Sequence, residues 1–155
     1  MDPVKADFSG LEKLLQELKK PYITKIGVFK EAVTPDGEQI AAYGGDNEFG
    51  VVTRRIPERS FLRMPLQSKT ADIKNAVYRR AGTNLEKGDI RQIFEDIGFA
   101  GEAVIQEAFD TRGFGQWPEN AQETIERKKS DAPLIDKGHL RHAITSKTEP
   151  ARSGG

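Results

Sequence analysis

The feature that most constrains the fold of this chain is a long apolar stripe between residues 85 and 111. Its members recur at the three- and four-residue spacing of one helical face. They are Ile90, Ile93, Phe94, Ile97, Gly101, Val104, Ile105, Ala108 and Phe109. Gly98 and Gly101 weaken such a helix by about 1 kcal/mol each relative to alanine, unless they mark close packing against a neighbour. We therefore predict that residues 85–111 form the central helix, which lies across a sheet.

Short runs of β-branched and aromatic residues predict the strands of that sheet. Residues 22–29 form the clearest run, and the turn at 34–37 has proline and glycine where a type I turn prefers them. The predicted strands are 22–29, 39–44, 60–64 and, as a strand or a helix, 140–147. Together these elements predict an α+β fold, in which a small antiparallel β-sheet is covered on one face by the long helix and shorter helices.

The shorter helices are predicted at about 9–20, 66–81 and 121–129, with a break at 82–84. Ser9 can cap the first of them, and Pro21 ends it. Its leucines share one face at helical spacing; they are Leu11, Leu14, Leu15 and Leu18. We expect this stripe to cover the sheet, and a partner-binding stripe is the less favoured alternative.

Length and composition indicate one domain of 155 residues, spanning 1–155 with loose tails at 1–7 and 149–155. The formal net charge of +0 gives no overall attraction to nucleic acid or to an anionic membrane, and it favours association. The absence of cysteine excludes disulfides and thiolate metal sites. No apolar run approaches the ~18 residues of a membrane helix. We expect a protein that is made and assembled in the cytoplasm, without a membrane partner.

Side chains that could carry chemistry are few. His139 and His142 share a helical spacing, with Asp136 as the only nearby third metal ligand, and two exposed histidines are the favoured interpretation. The carboxylates of Glu95 and Asp96 are expected to be solvated charges. No serine lies in a Gly-x-Ser-x-Gly elbow. We therefore predict no enzymatic activity, no metal and no cofactor.

The segment 47–63 has a different character. Two aromatic residues, Phe49 and Phe61, bracket the pair Arg54 and Arg55, with breaks at Gly50 and Pro57. It contains no nucleophile with a base and no metal-ligand spacing. Such a segment is suited to positioning the chain and contacting a partner.

The same segment carries a resemblance. Asn-Glu-Phe-Gly at 47–50, followed by Ile-Pro-x-Arg-x-Phe-Leu-Arg at 56–63, resembles the virion-morphogenesis, or tail-completion, proteins of tailed bacteriophages. A second block supports it, and the two blocks with the helices between them cover most of residues 20–145. The second block consists of Trp117-Pro118, Thr124, Lys128 and the sequence Pro-Leu-Ile-Asp-x-Gly-x-Leu at 133–140. The departures are Ser60 for the family's usual proline, Lys137 for threonine, Ala143 for serine, and a longer segment at 51–55.

The resemblance implies a structural virion protein that forms a tail-completion or tail-terminator ring in the neck between head and tail. Its partners would be copies of itself, expected in a hexameric ring, the neighbouring head–tail connector and tail-tube proteins, and passing DNA through non-specific contact. A free strand edge that the next subunit covers would suit such a ring. The predicted interface residues are Asn47, Glu48, Phe49, Gly50, Arg54, Arg55, Ile56, Pro57, Arg59, Phe61, Leu62, Arg63, Pro133, Leu134, Asp136 and Gly138.

Two alternatives from other classes stay open. One is a small nucleic-acid-binding regulator that uses the loop with Arg54 and Arg55. The other is a hydrolase too divergent to show a motif. The oligomeric state in solution separates the first of these from the neck protein, because a ring of several subunits favours the neck protein.

Overall fold

In a computed structural model, which describes residues 9–129, 131–134 and 138–152, the chain has an α+β fold. No helix in these ranges is both long and apolar enough to span a membrane. The elements, in chain order, are α1 (Ser9–Leu18), β1 (Tyr22–Val28), α2 (Ile40–Phe49), α3 (Arg63–Ser68), α4 (Thr70–Glu86), α5 (Ile90–Asp110), α6 (Gln122–Lys128), α7 (His139–His142) and β2 (Ile144–Pro150).

The predicted central helix is confirmed as α5. It begins after Asp89, whose carboxylate accepts the Gln92 backbone N–H at 3.0 Å, a typical N-cap contact. Its most deeply buried side chains belong to the predicted stripe, with Ile105 and Ala108 fully inaccessible to solvent. The helix starts later than predicted because residues 82–86 belong to α4. The predicted break at 82–84 is wrong, since Asn84 lies inside α4 and bonds to a carboxylate of α5.

The sheet consists of β1 and β2, which pair antiparallel from Tyr22 opposite Pro150 to Val28 opposite Ile144. Helix α5 covers one face, where the Thr24 hydroxyl donates to the Phe94 carbonyl at 2.7 Å. The opposite face carries charged side chains, including an ion pair between Lys25 and Glu149. The predicted antiparallel sheet covered on one face is therefore confirmed.

The number of strands was predicted incorrectly. Residues 40–49 form the helix α2, and residues 63–68 form the helix α3, so the strands predicted at 39–44 and 60–64 are wrong. A Cβ at Gly44 would lie only 3.1 Å from Leu140 and 3.5 Å from Phe61, so a glycine here lets α2 pack closely on the core. Tertiary packing thus overrides the low helix propensity of the glycine pair.

The C-terminal tail is shorter than predicted. Strand β2 continues through Pro150, and the Ala151 N–H donates to the Pro21 carbonyl at 2.8 Å. The expectation of a loose tail from residue 149 is therefore wrong for 149–151, because the antiparallel ladder holds these residues against the start of β1. Residues 1–7 and 153–155 lie outside the described residues.

The leucine stripe of α1 does not cover the sheet. Leu11, Leu15 and Leu18 are exposed, and no residue of α1 is buried. One face of the sheet is already occupied by α5, and the other face is polar, so α1 finds no apolar surface there. The less favoured alternative, a stripe that binds a partner, thereby becomes the working hypothesis for this helix.

A substitution at Gly98 can show how closely α5 packs against the sheet. A Cβ at this position would lie 2.4 Å from the Ser146 Oγ and 2.8 Å from its Cβ. We expect Gly98→Ala to lower the free energy of unfolding by about 1–3 kcal/mol, because the helix or the strand must shift. The matched control is Gly82→Ala in α4, where nothing lies within 4 Å, and which should raise stability by up to about 1 kcal/mol. Urea denaturation measures the free energy of unfolding of each variant. Equal changes for the two substitutions would contradict the close packing of α5 against β2 at Gly98.

Candidate functional site

A buried carboxylate organises the 47–63 segment. Glu48, near the end of α2, is only 4% exposed. Its Oε2 accepts the backbone N–H groups of Phe61 at 2.8 Å and Leu62 at 2.9 Å, and its Oε1 accepts that of Arg63 at 3.0 Å. The first amides of a helix lack partners within the helix and favour a negative charge. Glu48 therefore caps α3 from another helix, which explains why this stretch turns into a helix rather than a strand.

Ser60 completes this network. Its hydroxyl donates to the Glu48 Oε1 at 2.7 Å and accepts the Met64 backbone N–H at 2.9 Å. Position 60 is one of the departures from the resembled family, which usually has proline there. In this chain the serine hydroxyl takes part in the cap of α3, which a proline at this position could not do because its side chain has no hydroxyl.

Arg59 joins the two sequence blocks. Its side chain is 6% exposed, and it donates from Nε to the Pro118 carbonyl and from Nη2 to the Glu119 carbonyl, both at 2.8 Å. Loss of solvation lowers the pKa of the Arg59 guanidinium. The indole N–H of Trp117 donates in turn to the Ser60 carbonyl at 3.1 Å. The segments at 47–63 and 117–119 are thus held together by three hydrogen bonds from side chains to backbone.

An aromatic cluster lies beneath these bonds. The ring of Phe61 lies 5.9 Å from that of Phe109, which meets Trp117 edge-on at 5.4 Å. Gly113 has a φ of 67°, and a Cβ there would come within 2.3 Å of the indole, so only glycine fits. Trp117 is 7% exposed and belongs to the main hydrophobic cluster of the core.

Residues 51–56 form a short closed loop. The backbone groups of Val51 and Ile56 exchange two hydrogen bonds, at 2.8 and 3.0 Å, around a 3-10 turn at Val52–Arg54. Gly50 enters the loop with a φ of 70°, and a Cβ there would lie 2.8 Å from the Glu58 backbone nitrogen. The side chain of Val52, at the tip of the loop, is 94% exposed. The loop therefore projects from the rest of the chain, and its base is fixed by hydrogen bonds.

Phe49 lies beside this loop at the end of α2 and is 66% exposed. The Arg63 guanidinium lies 5.5 Å from the centre of its ring and also bonds Glu58 at 2.5 Å. Next to Phe49 opens an apolar groove of about 360 Å³, whose walls include Leu62 and Leu66. The ring and the groove together form an uncovered apolar patch.

The predicted interface residues divide into two groups. The side chains of Glu48, Phe61 and Pro133 are buried within the chain, so the expectation that they contact a partner directly is corrected. Arg59 is buried as well, but of these four residues it alone lines the larger groove described below. Asp136 lies outside the described residues. The predicted residues with at least partial exposure are Asn47, Phe49, Gly50, Arg54, Arg55, Ile56, Pro57, Leu62, Arg63, Leu134 and Gly138.

A second, larger groove of about 1120 Å³ is lined in part by the 51–56 loop. Its walls come from the turn around Asp36, from Tyr43 of α2, from the loop itself, from the stretch after Trp117, and from Leu134. Arg54 at its edge is paired with Asp46 at 2.6 Å. The groove thus lies where the two sequence blocks meet.

The candidate chemical groups do not converge. Within the described ranges no three His, Asp or Glu side chains are grouped as metal ligands. Asp96, expected to be solvated, is instead 5% exposed and accepts hydrogen bonds from Asn84 and Gln92, with Arg80 at 3.4 Å. That expectation was wrong because α4 packs along α5 at this point and brings its polar groups with it.

Comparisons of the chain with protein-family models, with curated proteins and with solved structures each find no match. The resemblance to tail-completion proteins therefore rests on the two sequence blocks themselves.

Proposed function

We propose that this chain is a structural protein of the virion neck of a tailed bacteriophage, a tail-completion or tail-terminator subunit that assembles with copies of itself into a ring. The observation that carries the proposal is the convergence of its two sequence blocks. Arg59 and Trp117, one from each block, are the side chains that join them. The two blocks are far apart in the sequence but lie together in the structure, where they support the same projecting loop.

The geometry of the sheet supports self-association. A two-stranded sheet is marginal by itself, and each strand here pairs along one edge only. Within the described residues the outer edges of β1 and β2 carry no backbone ladder. Free strand edges readily pair with another chain. A ring in which each subunit covers an edge of its neighbour would remove this liability.

Exposed apolar side chains offer a second support. They include Leu11, Leu15 and Leu18 on α1, Phe49 and Val52 near the projecting loop, and Phe99 on α5. These residues belong to separate elements of the chain. A contact between two different surfaces of like subunits is heterologous, and heterologous contacts produce rings when the rotation closes.

The alternative of a nucleic-acid-binding regulator receives less support from the same loop. Arg54 is paired with Asp46, which leaves Arg55 as the one arginine of the loop without an ion pair in the described structure. A single exposed guanidinium supplies little of the phosphate contact that non-specific DNA binding requires.

Sedimentation velocity and negative-stain electron microscopy of the purified full chain test the proposal. We expect a closed ring with a defined number of subunits that persists at high salt, because its contacts are largely apolar or backbone-mediated. A chain that stays monomeric at millimolar concentration, or that is retained on DNA at low salt and released at high salt, would favour the regulator instead.

A further inference from the structure

Arg59 is a buried cation that has no carboxylate partner in the part of the chain that the structure describes. Its two side-chain hydrogen bonds go to neutral carbonyls, and no carboxylate pairs with it in the described residues. Nη1 makes no hydrogen bond there. Because no fully buried side-chain nitrogen of the described structure lacks a partner, Nη1 keeps some access to solvent, and Arg59 is one of the residues that line the groove of about 1120 Å³.

This arrangement is unusual within the chain. Arg63, Arg91 and Arg141, which are all more accessible to solvent than Arg59, are each paired with a carboxylate, at 2.5, 2.9 and 2.7 Å. Burial makes an unpaired charge costly, so the need for an anion is greater at Arg59 than at any of these surface positions. A planar guanidinium held at two of its nitrogens is preorganised to bind a carboxylate with the third.

The groove offers more than this one cation. Arg55 and Arg127 also line it, and neither forms an ion pair within the described residues. Tyr43, Ile56 and Leu134 contribute apolar wall. The ligand that matches such a surface combines a carboxylate with apolar side chains.

The acidic residues of the groove decide between a protein and a nucleic acid. Glu38 and Glu119 line the same space. Their charges would repel the continuous phosphates of DNA or RNA, whereas one carboxylate placed at Arg59 can avoid them. An extended peptide can also turn its backbone N–H groups towards these acids.

We propose that this groove is a docking site for a segment of a partner protein in which an aspartate or glutamate, flanked by apolar residues, places its carboxylate on Arg59. The groove lies on one subunit and requires no second copy. This inference goes beyond the proposed ring, and either of the two can fail without the other.

Selection from a random dodecapeptide library on the purified full chain supplies the probe. We expect the enriched peptides to share an acidic residue next to apolar ones. In NMR titrations they should shift the Arg59 Nε–H resonance and the amides around the groove. Replacing the shared acid by its amide should weaken binding about tenfold or more, as expected for the loss of charge-assisted hydrogen bonds.

Substitutions of arginines in the groove test whether the peptides bind there. Because Arg59→Gln can disturb the loop, the informative variant is Arg55→Gln combined with Arg127→Gln, which should weaken the same peptides at least about threefold without changing the fold. The matched control, Arg91→Gln on α5, should bind as the unmodified protein does. The proposal is overturned if no peptide is enriched, or if the enriched peptides lack an acidic residue. It is also overturned if a DNA duplex shifts the same resonances more strongly than the peptides do at physiological salt.

Discussion

Replacing Glu48 by alanine is expected to lower the free energy of unfolding by about 3 kcal/mol, because three backbone N–H groups and one hydroxyl lose their acceptor at once. The contacts at stake are those to Ser60, Phe61, Leu62 and Arg63, all within 3.0 Å. For a domain of this size the melting temperature should fall by about 6–12 °C. Differential scanning calorimetry and urea denaturation measure the two quantities.

Glu48→Gln separates the acceptor role from simple space filling. The amide nitrogen of glutamine would face two donors, so we expect this nearly isosteric change to destabilise the protein almost as much as alanine does. The control is Glu58→Gln, which breaks an exposed ion pair with Arg63 and should cost less than about 1 kcal/mol. If Glu48→Gln melts like the unmodified protein, the carboxylate does not cap α3 and this account of the loop fails.

Two phenylalanines of the same segment should behave in opposite ways. Phe61 is 1% exposed and contacts the ring of Phe109, so Phe61→Ala should lower the free energy of unfolding by about 3–5 kcal/mol. The melting temperature should fall by about 6–20 °C, whether or not rings are present. Phe49 is exposed, and its contact with the Arg63 guanidinium contributes about 0.5–1 kcal/mol, so Phe49→Ala should leave the melting of the isolated subunit nearly unchanged.

We expect Phe49→Ala to impair the assembly of rings rather than the folding of the subunit. Loss of an aromatic anchor can cost about 2 kcal/mol or more at each contact, and a ring repeats the loss around its circumference. We therefore expect folded subunits that no longer form rings, measured by sedimentation velocity. A matched control is Tyr78→Ala, which removes another exposed aromatic side chain, from α4. Normal ring formation by Phe49→Ala would remove Phe49 from the interface.

Tertiary contacts decided that residues 40–49, which are rich in glycine, form a helix. Residues 40–49 contain a glycine pair and an aspartate, and local propensity favours a loop there. They fold as α2 because Gly44 packs against Leu140 and because Glu48 finds donors in the stretch that follows Ser60. Those donors lie 12–15 residues away along the chain, beyond the reach of any local pattern.

The sequence by itself determined the elements whose signal is local. The apolar stripe of α5 and the run of β-branched and aromatic residues in β1 are local patterns, and both elements are found in the structure. The partner of β1 lies more than a hundred residues away, and the burial of Arg59 depends on carbonyls at Pro118 and Glu119. Only the tertiary structure decided these, because long-range contacts depend on which surfaces the packed helices bring together and leave no periodic trace in the chain.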